Sequence, residues 1–460
     1  MDRPRPFPVS PPDSAWLRME VPTNPMTITG VVGFGSELSL EDLRDFVTER
    51  LVRFSRFRMR IEDMRSTTPR WVPDDAFDIE HHVLEADLPA PGGQTGLEEL
   101  VSRLMSEPLS FDHSPWTFHL VHGIEDEDGA ESAAIVVRLH HVIGDGIALM
   151  HVLINAVDEY FDLEDETSRP RKRPKLPTPK RVAKTLKNAG TETAELLMNP
   201  SHLGGRLKAA GSGVSALGHL LAMRPDSVTT LKGQTSPVKR AAWTRPFVLE
   251  DIKSVGHALD AKVNDVLMTA AGGALRRFLM SKNEPVDALT VRVAAPFNVR
   301  PLERAHELGN SFGLVFVELP VSQPTVRERL SAMKARMDAA KSSSEPAVVY
   351  GILQTIGRAP MWIHSLVVKM FSEKATGVLT NVPGPDETLH IKAAPITTIM
   401  FWVPQAGDIG LGISIISLDG SVRVGVTTDA AYVENPAEIA RAFEDEFDAL
   451  VAEFVTEAAA

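Results

Sequence analysis

Residues 133–157 read AAIVVRLHHVIGDGIALMHVLINAV, and this stretch decides the fold. Its first part, residues 133–139, is apolar and rich in β-branched side chains, which predicts a buried strand. Gly144 and Gly146 bracket a turn, and apolar residues then recur at helical spacing from Ile147 to Val157, which predicts a helix at 147–161. The stretch therefore predicts a strand, a loop and a helix, with two histidines where the strand ends.

The histidine pair indicates that one of the two imidazoles faces a substrate and takes part in proton transfer. Adjacent side chains of an extended segment point to opposite faces, so His140 and His141 cannot both face one substrate. We expect His140 to support the loop and His141 to accept and return a proton, as an imidazole does near neutral pH. Asp145 either orients a histidine or forms an ion pair that fixes the loop, and Gly146 lets the backbone approach a ligand. The same geometry argues against a shared metal, and no metal site is expected.

Composition limits the function classes. The chain has 460 residues, 43% of them hydrophobic, which predicts two or three domain-sized units with a large core. With 48 basic and 61 acidic residues its formal charge is −13, which argues against nucleic-acid binding. The absence of cysteine excludes thiolate nucleophiles and fits a cytoplasmic protein. We expect no signal peptide and no membrane span, because no long apolar run occurs.

The sequence predicts two α/β lobes joined by a linker. We assign residues 1–165 to an N-terminal lobe, 166–238 to a basic and helical linker, and 239–460 to a C-terminal lobe. Residues 169–187 hold nine Lys or Arg and no acid, and their four prolines exclude a regular helix over the first half. This segment is either a solvated connector or a patch for anionic lipid headgroups or cofactor phosphates. In the N-terminal lobe Ser39 is the predicted cap of a helix at 40–54. In the C-terminal lobe the predicted strands include 291–295, 312–319, 397–403, 410–418 and 421–429, and Asp419-Gly420 predicts a hairpin turn between the last two.

Several motifs carry a resemblance to a known family. HHVIGDG, residues 140–146, matches the HHxxxDG motif of the CoA-dependent acyltransferase superfamily, which includes chloramphenicol acetyltransferases and peptide-synthetase condensation domains. The chain most resembles the bacterial bifunctional wax ester synthase/diacylglycerol acyltransferases. Ser114-Pro115-Trp116 departs from that family's PLW motif, and Thr27 stands where histidine is usual. The other matching segments are SPPDSAW (10–16), FDIEHHVLEADLPAPGG (77–93), VNDVLM (263–268), APFNVRP (295–301), LGNSFGLVFVELPV (308–321) and TNVPGP (380–385).

The resemblance implies a fold and a reaction. The fold is α/β, with two chloramphenicol-acetyltransferase-like lobes, each a mixed sheet with helices, that form a tunnel at their interface. The reaction moves a fatty acyl group from acyl-CoA, a co-substrate, to a long-chain alcohol or to diacylglycerol, giving a wax ester or triacylglycerol. No permanently bound cofactor and no metal is implied. His141 would be the general base of a direct transfer without a covalent enzyme intermediate, and Asp145 would pair with an arginine, for which Arg300 is the candidate.

The remaining candidate residues keep two interpretations each. Asn264 and Asp265 are candidates to contact the oxyanion or the substrate, and the backbone around Gly146 is a further candidate donor. Asn264 and Asp265 equally predict the N-terminal cap of a helix. Asn381 either lines the tunnel or belongs to a turn fixed by its prolines and glycine.

Three other functions compete with this interpretation. Residues 309–313 fit the GxSxG pattern of serine esterases, but that pattern needs a strand before Ser311 and a helix after it, and here a strand follows. The second competing function is acyl transfer to a different acceptor by a relative of the same superfamily. The third is that of a non-catalytic lipid-binding protein.

The protein is expected in the cytoplasm, with peripheral attachment to the inner membrane or to lipid inclusions as a further prediction. Residues 361–371 carry an apolar stripe that is either part of the core or a lipid-binding surface. Its members are Trp362, Ile363, Leu366, Val367 and Met370.

Overall fold

The computed structural model describes residues 3–125, 131–146, 148–149, 152, 207–299, 308–341 and 343–456. Most of the helix predicted at 147–161, the basic segment 169–187 and Arg300 lie outside the described residues. Two large mixed sheets, each covered by helices, dominate the described part of the chain. This agrees with the expected α/β fold of two lobes.

The first sheet belongs to the N-terminal lobe and has the strand order β13-β14-β2-β7-β6-β5. Its central strand, β7, is the strand predicted before the histidine pair, and it pairs antiparallel with β2 and β6. The strands are β2 (Thr27–Phe34), β5 (Val83–Glu85), β6 (Trp116–Glu125), β7 (Glu131–His140), β13 (His390–Ile391) and β14 (Ala394–Trp402).

The second sheet lies in the C-terminal lobe, with the order β11-β10-β12-β15-β16-β8 and β9 beside β16. The pairs β10–β12 and β12–β15 are parallel, and the others are antiparallel. Asp419 and Gly420, both at positive φ, form the predicted hairpin turn between β15 and β16. The strands are β8 (Lys239–Trp243), β9 (Phe247–Val248), β10 (Arg292–Asn298), β11 (Phe312–Glu318), β12 (Gly377–Val382), β15 (Leu411–Leu418) and β16 (Ser421–Asp429).

A small third sheet and the helices complete the described structure. The third sheet has the order β1-β4-β3, with β1 Phe7–Pro8, β4 Arg70–Pro73 and β3 Met59–Glu62. Ser39 caps α2 as predicted, since its hydroxyl accepts the N–H of Asp42 at 3.0 Å. The helices are α1 (Pro11–Met19), α2 (Leu40–Arg50), α3 (Gly93–Ser106), α4 (Leu207–Ala222), α5 (Leu249–His257), α6 (Val263–Ser281), α7 (Val326–Lys341), α8 (Glu345–Ile356), α9 (Met361–Ser372) and α10 (Ala437–Val451).

One strand crosses from the second half of the chain into the first sheet. The sequence predicted a strand at 397–403 as part of the C-terminal lobe, and that assignment to a lobe is wrong. Strand β14 hydrogen-bonds β2, with Met400 opposite Val31 and Trp402 opposite Thr29. A local apolar pattern specifies a strand but not its partner, which here lies more than 360 residues away.

Candidate active site

A cavity of ≈ 140 Å³ lies between the two lobes, and we call it the interlobe cavity. The N-terminal half contributes Trp16, Met19, His141, Asp145 and Gly146 to its wall. Strands β10, β11 and β12 and helices α8 and α9 form the opposite wall, which is mostly apolar. The second histidine therefore lies where the two halves of the chain meet.

His141 lies in the wall of this cavity and is only 4% exposed. Its ring stacks on Trp16, with centroids 4.7 Å apart and an interplanar angle of 18°, and contacts Phe312 at 5.8 Å. Among the described residues no group hydrogen-bonds its buried Nδ1 atom. Burial lowers the pKa of His141 to about 4, and the Asp145 carboxylate opposes this shift. The imidazole is therefore neutral at physiological pH and free to accept a proton.

His140 points away from the cavity and is fully buried. Its Nδ1 accepts the N–H of Val142 at 3.0 Å, so the ring proton resides on Nε2. Nε2 lies 3.4 Å from a carboxylate oxygen of Glu20, and the ring makes an edge contact with Phe111. These contacts hold the ring in place, and the supporting role of the first histidine stays a prediction.

Asp145 connects the loop to both halves of the chain. Its Oδ1 accepts the N–H of Ala148 at 2.8 Å, and its Oδ2 accepts the N–H of Ser311 at 3.0 Å. Its own N–H donates to the Gly309 carbonyl at 3.3 Å. The carboxylate thus holds both the start of the following helix and the start of strand β11 in the other lobe. The predicted pairing with Arg300 falls outside the described residues.

A buried ion pair also holds the loop, and sequence analysis did not single it out. The Arg56 guanidinium lies 3.1 Å from the Asp13 carboxylate and donates to the carbonyls of Val142 and Ile143 at 3.0 Å each. Arg56 and Asp13 have side-chain exposures of 4% and 0%. Because the two carbonyls follow His141 directly, the guanidinium fixes the backbone that carries the imidazole.

Asn310 completes this arrangement from the C-terminal lobe. Its backbone and side-chain N–H groups donate to Asp13 Oδ1 at 2.8 and 2.9 Å, and Nδ2 also donates to the His141 carbonyl at 2.8 Å. Gly309 has a φ of 114°, a region that favours glycine. Asp13 lies in SPPDSAW, one of the segments that carry the family resemblance. Arg56 lies in FSRFRMR, where no local signal distinguishes it from the neighbouring arginines.

The three other predicted site residues occupy different positions. Asn381 lines the interlobe cavity, and its Nδ2 donates to Asn264 Oδ1 at 3.0 Å. Asn264 therefore lies one step behind the cavity wall. The Asp265 carboxylate accepts the N–H of Lys262 at 2.9 Å and lies 3.6 Å from the Lys341 ammonium. Helix α6 begins at Val263, so Asp265 acts as a helix cap, in agreement with the structural alternative.

The segment that fits GxSxG is part of the loop support. Strand β11 follows Ser311, and no strand leads into it within residues 308–311. The N–H of Ser311 is used by Asp145. The strand order required for a nucleophile elbow is therefore missing in this part of the structure, which speaks against a serine esterase.

Neither a metal cluster nor a membrane-spanning helix occurs in the described parts of the chain. No group of three or more His, Cys, Asp or Glu side chains there is arranged to hold a metal ion. None of the described helices is long and apolar enough to cross a membrane.

Comparison with known proteins identifies the class. The fold resembles the wax ester synthase/diacylglycerol acyltransferase of Marinobacter aquaeolei VT8, with a TM-score of 0.68, 20% identity, and coverage of 97% of this chain and 99% of that chain. It also resembles the starter condensation domain of rhizomide synthetase RzmA, with a TM-score of 0.57, 12% identity, and coverage of 97% and 94%. Both structures share the two-lobed α/β fold of this chain.

Sequence comparison gives the family. The wax ester synthase/diacylglycerol acyltransferase catalytic domain matches residues 9–267, and the WS/DGAT C-terminal domain matches residues 308–451. The chain belongs to this family and is an acyltransferase. A probable diacylglycerol O-acyltransferase of Mycobacterium tuberculosis, tgs1, is 26% identical over 423 residues, covering 88% of this chain and 87% of the relative. A putative one of Mycobacterium bovis, Mb3761c, is 28% identical over 402 residues, covering 84% and 85%.

Proposed function

We propose that the protein transfers a fatty acyl group from acyl-CoA to a long-chain alcohol or to diacylglycerol, with His141 as the general base. The observation that supports this most is a neutral imidazole in the wall of an apolar cavity between the lobes. The Mycobacterium relatives are named diacylglycerol acyltransferases and the Marinobacter protein a wax ester synthase, which supports both acceptors.

The proposed reaction needs one base and no covalent enzyme intermediate. The imidazole of His141 takes the hydroxyl proton as the alcohol oxygen attacks the thioester carbonyl carbon. The carbon–sulfur bond then breaks, and the imidazolium returns the proton to the leaving CoA thiolate. A positioned base of this kind contributes about 10²–10⁴ in rate. A thioester is already activated, so direct transfer suffices.

The oxyanion that forms at the carbonyl needs a hydrogen-bond donor. Asn381 is our candidate because its side chain lines the cavity, with the backbone at Gly146 as a second donor. The side-chain amide oxygen of Asn264 accepts one N–H of the Asn381 side chain and so orients that amide. We assign Asn264 the positioning role and Asp265 a cap of helix α6.

The test is direct acyl transfer by the purified protein. Palmitoyl-CoA is offered with hexadecanol or with dioleoylglycerol, thiol release is followed, and the lipid product is identified. We expect ester formation that is lost in His141→Ala. His119→Ala is the matched control, because burial also lowers the pKa of His119 to about 4 while it lies in β6, outside the cavity wall.

The outcomes separate the competing functions. No product with either acceptor contradicts the acceptor assignment, and full turnover in His141→Ala contradicts the mechanism. An acyl-enzyme intermediate, or inactivation by a serine-directed phosphonate that forms a phosphonyl ester with Ser311 and loses its leaving group, supports the esterase alternative.

We also propose that helix α9 contacts a lipid surface. Trp362 and Leu366 are 70% and 61% exposed, whereas Val367 and Phe371 line the interlobe cavity on the other face of the same helix. The apolar stripe is thus divided between solvent and cavity. Because the proposed substrates are lipids, a helix with one face in the cavity wall and the other on a bilayer gives them a short path.

Vesicle flotation tests this surface. We expect Trp362→Asp to reduce recovery with vesicles at least tenfold, whereas Val228→Asp, which also changes an exposed apolar residue (88% exposed), leaves recovery unchanged. Equal recovery of wild type and Trp362→Asp, or no binding by either to neutral and anionic vesicles, contradicts the proposal.

A further inference from the structure

Two buried polar atoms beside the proposed base have no hydrogen-bond partner among the described residues. One is Nδ1 of His141, and the other is Oδ1 of Asn310. Both residues are only 4% exposed, so bulk water does not reach either atom. Buried polar atoms are almost always paired, and a catalytic role is one of the few explanations for those that are not. The two atoms are complementary, because an imidazole nitrogen can donate and an amide oxygen accepts.

The orientation of the Asn310 amide is fixed by its nitrogen atom. Nδ2 donates to Asp13 Oδ1 at 2.9 Å and to the His141 carbonyl at 2.8 Å. Both partners are acceptors, so a flipped amide would place Oδ1 against two oxygen atoms and lose both hydrogen bonds. Asp13 is held in turn by Arg56, 3.1 Å away. Oδ1 therefore faces away from these two acceptors and is available to a donor.

The Asn310 side chain also interacts with the imidazole of His141. Burial lowers the pKa of His141, and the Asp145 carboxylate, the backbone carbonyl of His141 and the Asn310 side chain oppose this shift. A neutral amide raises the pKa of an imidazole by accepting a hydrogen bond from the charged ring. The amide oxygen is the atom that can do so, which agrees with the orientation set by Nδ2.

The position of the single proton on the neutral imidazole decides which ring nitrogen can act as base. Nδ1 is fully buried, whereas the ring of His141 lines the interlobe cavity, so Nε2 is the nitrogen left for a substrate hydroxyl. Nε2 can accept a proton only if the ring proton lies on Nδ1. The His141 carbonyl already accepts Nδ2 of Asn310, which leaves Oδ1 of Asn310 as the neighbouring acceptor without a partner.

We propose that Asn310 is a positioning residue for the base: its Oδ1 accepts the Nδ1–H of His141 and so leaves Nε2 unprotonated towards the cavity. This inference rests on the proposed function. During transfer Nε2 takes the hydroxyl proton and returns it to the CoA thiolate, while the proton on Nδ1 stays in place. The hydrogen bond to Oδ1 strengthens when the ring is charged, because a charged donor is the stronger one. Catalytic hydrogen bonds are often long in a free enzyme and shorten when the substrate is bound.

Nitrogen NMR of the purified protein, labelled at its histidine nitrogens, measures the tautomer directly. The signals of His141 are assigned by their loss in His141→Gln. At pH 7 we expect the ring proton of His141 in the wild-type protein to lie on Nδ1. A ring proton on Nε2 overturns the inference.

Two matched substitutions separate this role from a structural one. Asn310→Leu removes the amide with little change in volume. Asn24→Leu is the control, because Asn24 is also buried, its Nδ2 donates to the Gly407 carbonyl at 2.7 Å, and it lies outside the wall of the interlobe cavity. In Asn310→Leu we expect a ring proton shared between Nδ1 and Nε2, and a kcat at least tenfold lower with KM within twofold of wild type. Asn24→Leu should keep the tautomer and a kcat within threefold of wild type.

Full retention of the Nδ1–H tautomer in Asn310→Leu, or equal losses of kcat in the two leucine variants, overturns the inference. If Asn310→Leu does not fold, Asn310→Asp takes its place, because it keeps an acceptor oxygen but loses both Nδ2 donors. Its tautomer should remain that of wild type, and a proton on Nε2 overturns the inference. If wild type forms no ester with either acceptor, the proposed reaction is rejected, while the tautomer measurement still decides the role of Asn310.

Discussion

Replacing Arg56 by methionine should reduce turnover through the active loop and not only through stability. Methionine keeps most of the side-chain volume but removes the charge opposite Asp13 and the donors to the Val142 and Ile143 carbonyls. Removing one partner of a buried ion pair costs about 3–5 kcal/mol. Asp13 retains two N–H donors from Asn310, so we expect a loss near 3 kcal/mol.

The C-terminal lobe contains a matched control. Arg329 is paired with the buried Glu446 and donates to the carbonyls of Gln323 and Pro324 at 3.0 and 2.9 Å. Glu446 also keeps a second partner, Arg277, at 3.0 Å. Arg329→Met therefore also removes one buried ion pair and two hydrogen bonds to carbonyls, in helix α7 and outside the wall of the interlobe cavity.

Stability and turnover are measured on both variants under conditions where both are folded. We expect similar losses of unfolding free energy in urea, but a fall in kcat of about 100-fold, with KM little changed, for Arg56→Met alone, since small displacements of a catalytic group have effects of this size. Arg56→Lys should recover part of kcat, because one ammonium can replace only some of the contacts. Equal kcat in the two methionine variants would refute the positioning role.

Three further predictions concern the loop, two buried histidines and the cavity wall. Asp145→Ala removes the acceptor for the N–H groups of Ala148 and Ser311. It should lower the free energy of unfolding, measured in a urea titration, by at least about 0.5–2 kcal/mol, the usual cost of losing a cap, and it should also reduce turnover. Burial holds the pKa of His141 and His119 at about 4, below the usual 6.5, so the unfolded chain binds more protons between these values. The free energy of unfolding should therefore be highest above pH 6.5 and should decrease as the pH falls towards 4, which urea midpoints at pH 7 and pH 4.5 will measure. By contrast, kcat/KM should stay flat from pH 5.5 to 7.5. Asn381→Ala should lower kcat about 100-fold in the thiol-release assay if its amide donates to the oxyanion; a change in KM alone would contradict that role.

The local elements of the active loop could be predicted because their signals are local. The β-branched run before His140 forms β7, and the hydroxyl of Ser39 caps α2. The opposite orientation of the two histidines follows from strand geometry, and the structure shows His140 in the core and His141 at the cavity. Each of these predictions needed only a few neighbouring residues.

Long-range interactions could not be predicted in the same way. The Arg56–Asp13 pair joins positions 43 residues apart, and Asn310 reaches Asp13 across 297 residues. A single sequence does not show which of several arginines is buried, because burial depends on packing between distant segments. For the same reason it gave Asp145 one candidate partner and did not indicate its contact with Ser311.

The insertion of β14 into the first sheet has a consequence for folding and for fragments of this protein. Residues from the last quarter of the chain must be synthesised before the edge of β2 is covered. A fragment that ends near residue 240 would expose that edge and several large apolar side chains, which favours aggregation. The two halves are therefore interlocked, and a proteolytic cut between them should leave a nicked protein that stays associated until it is denatured.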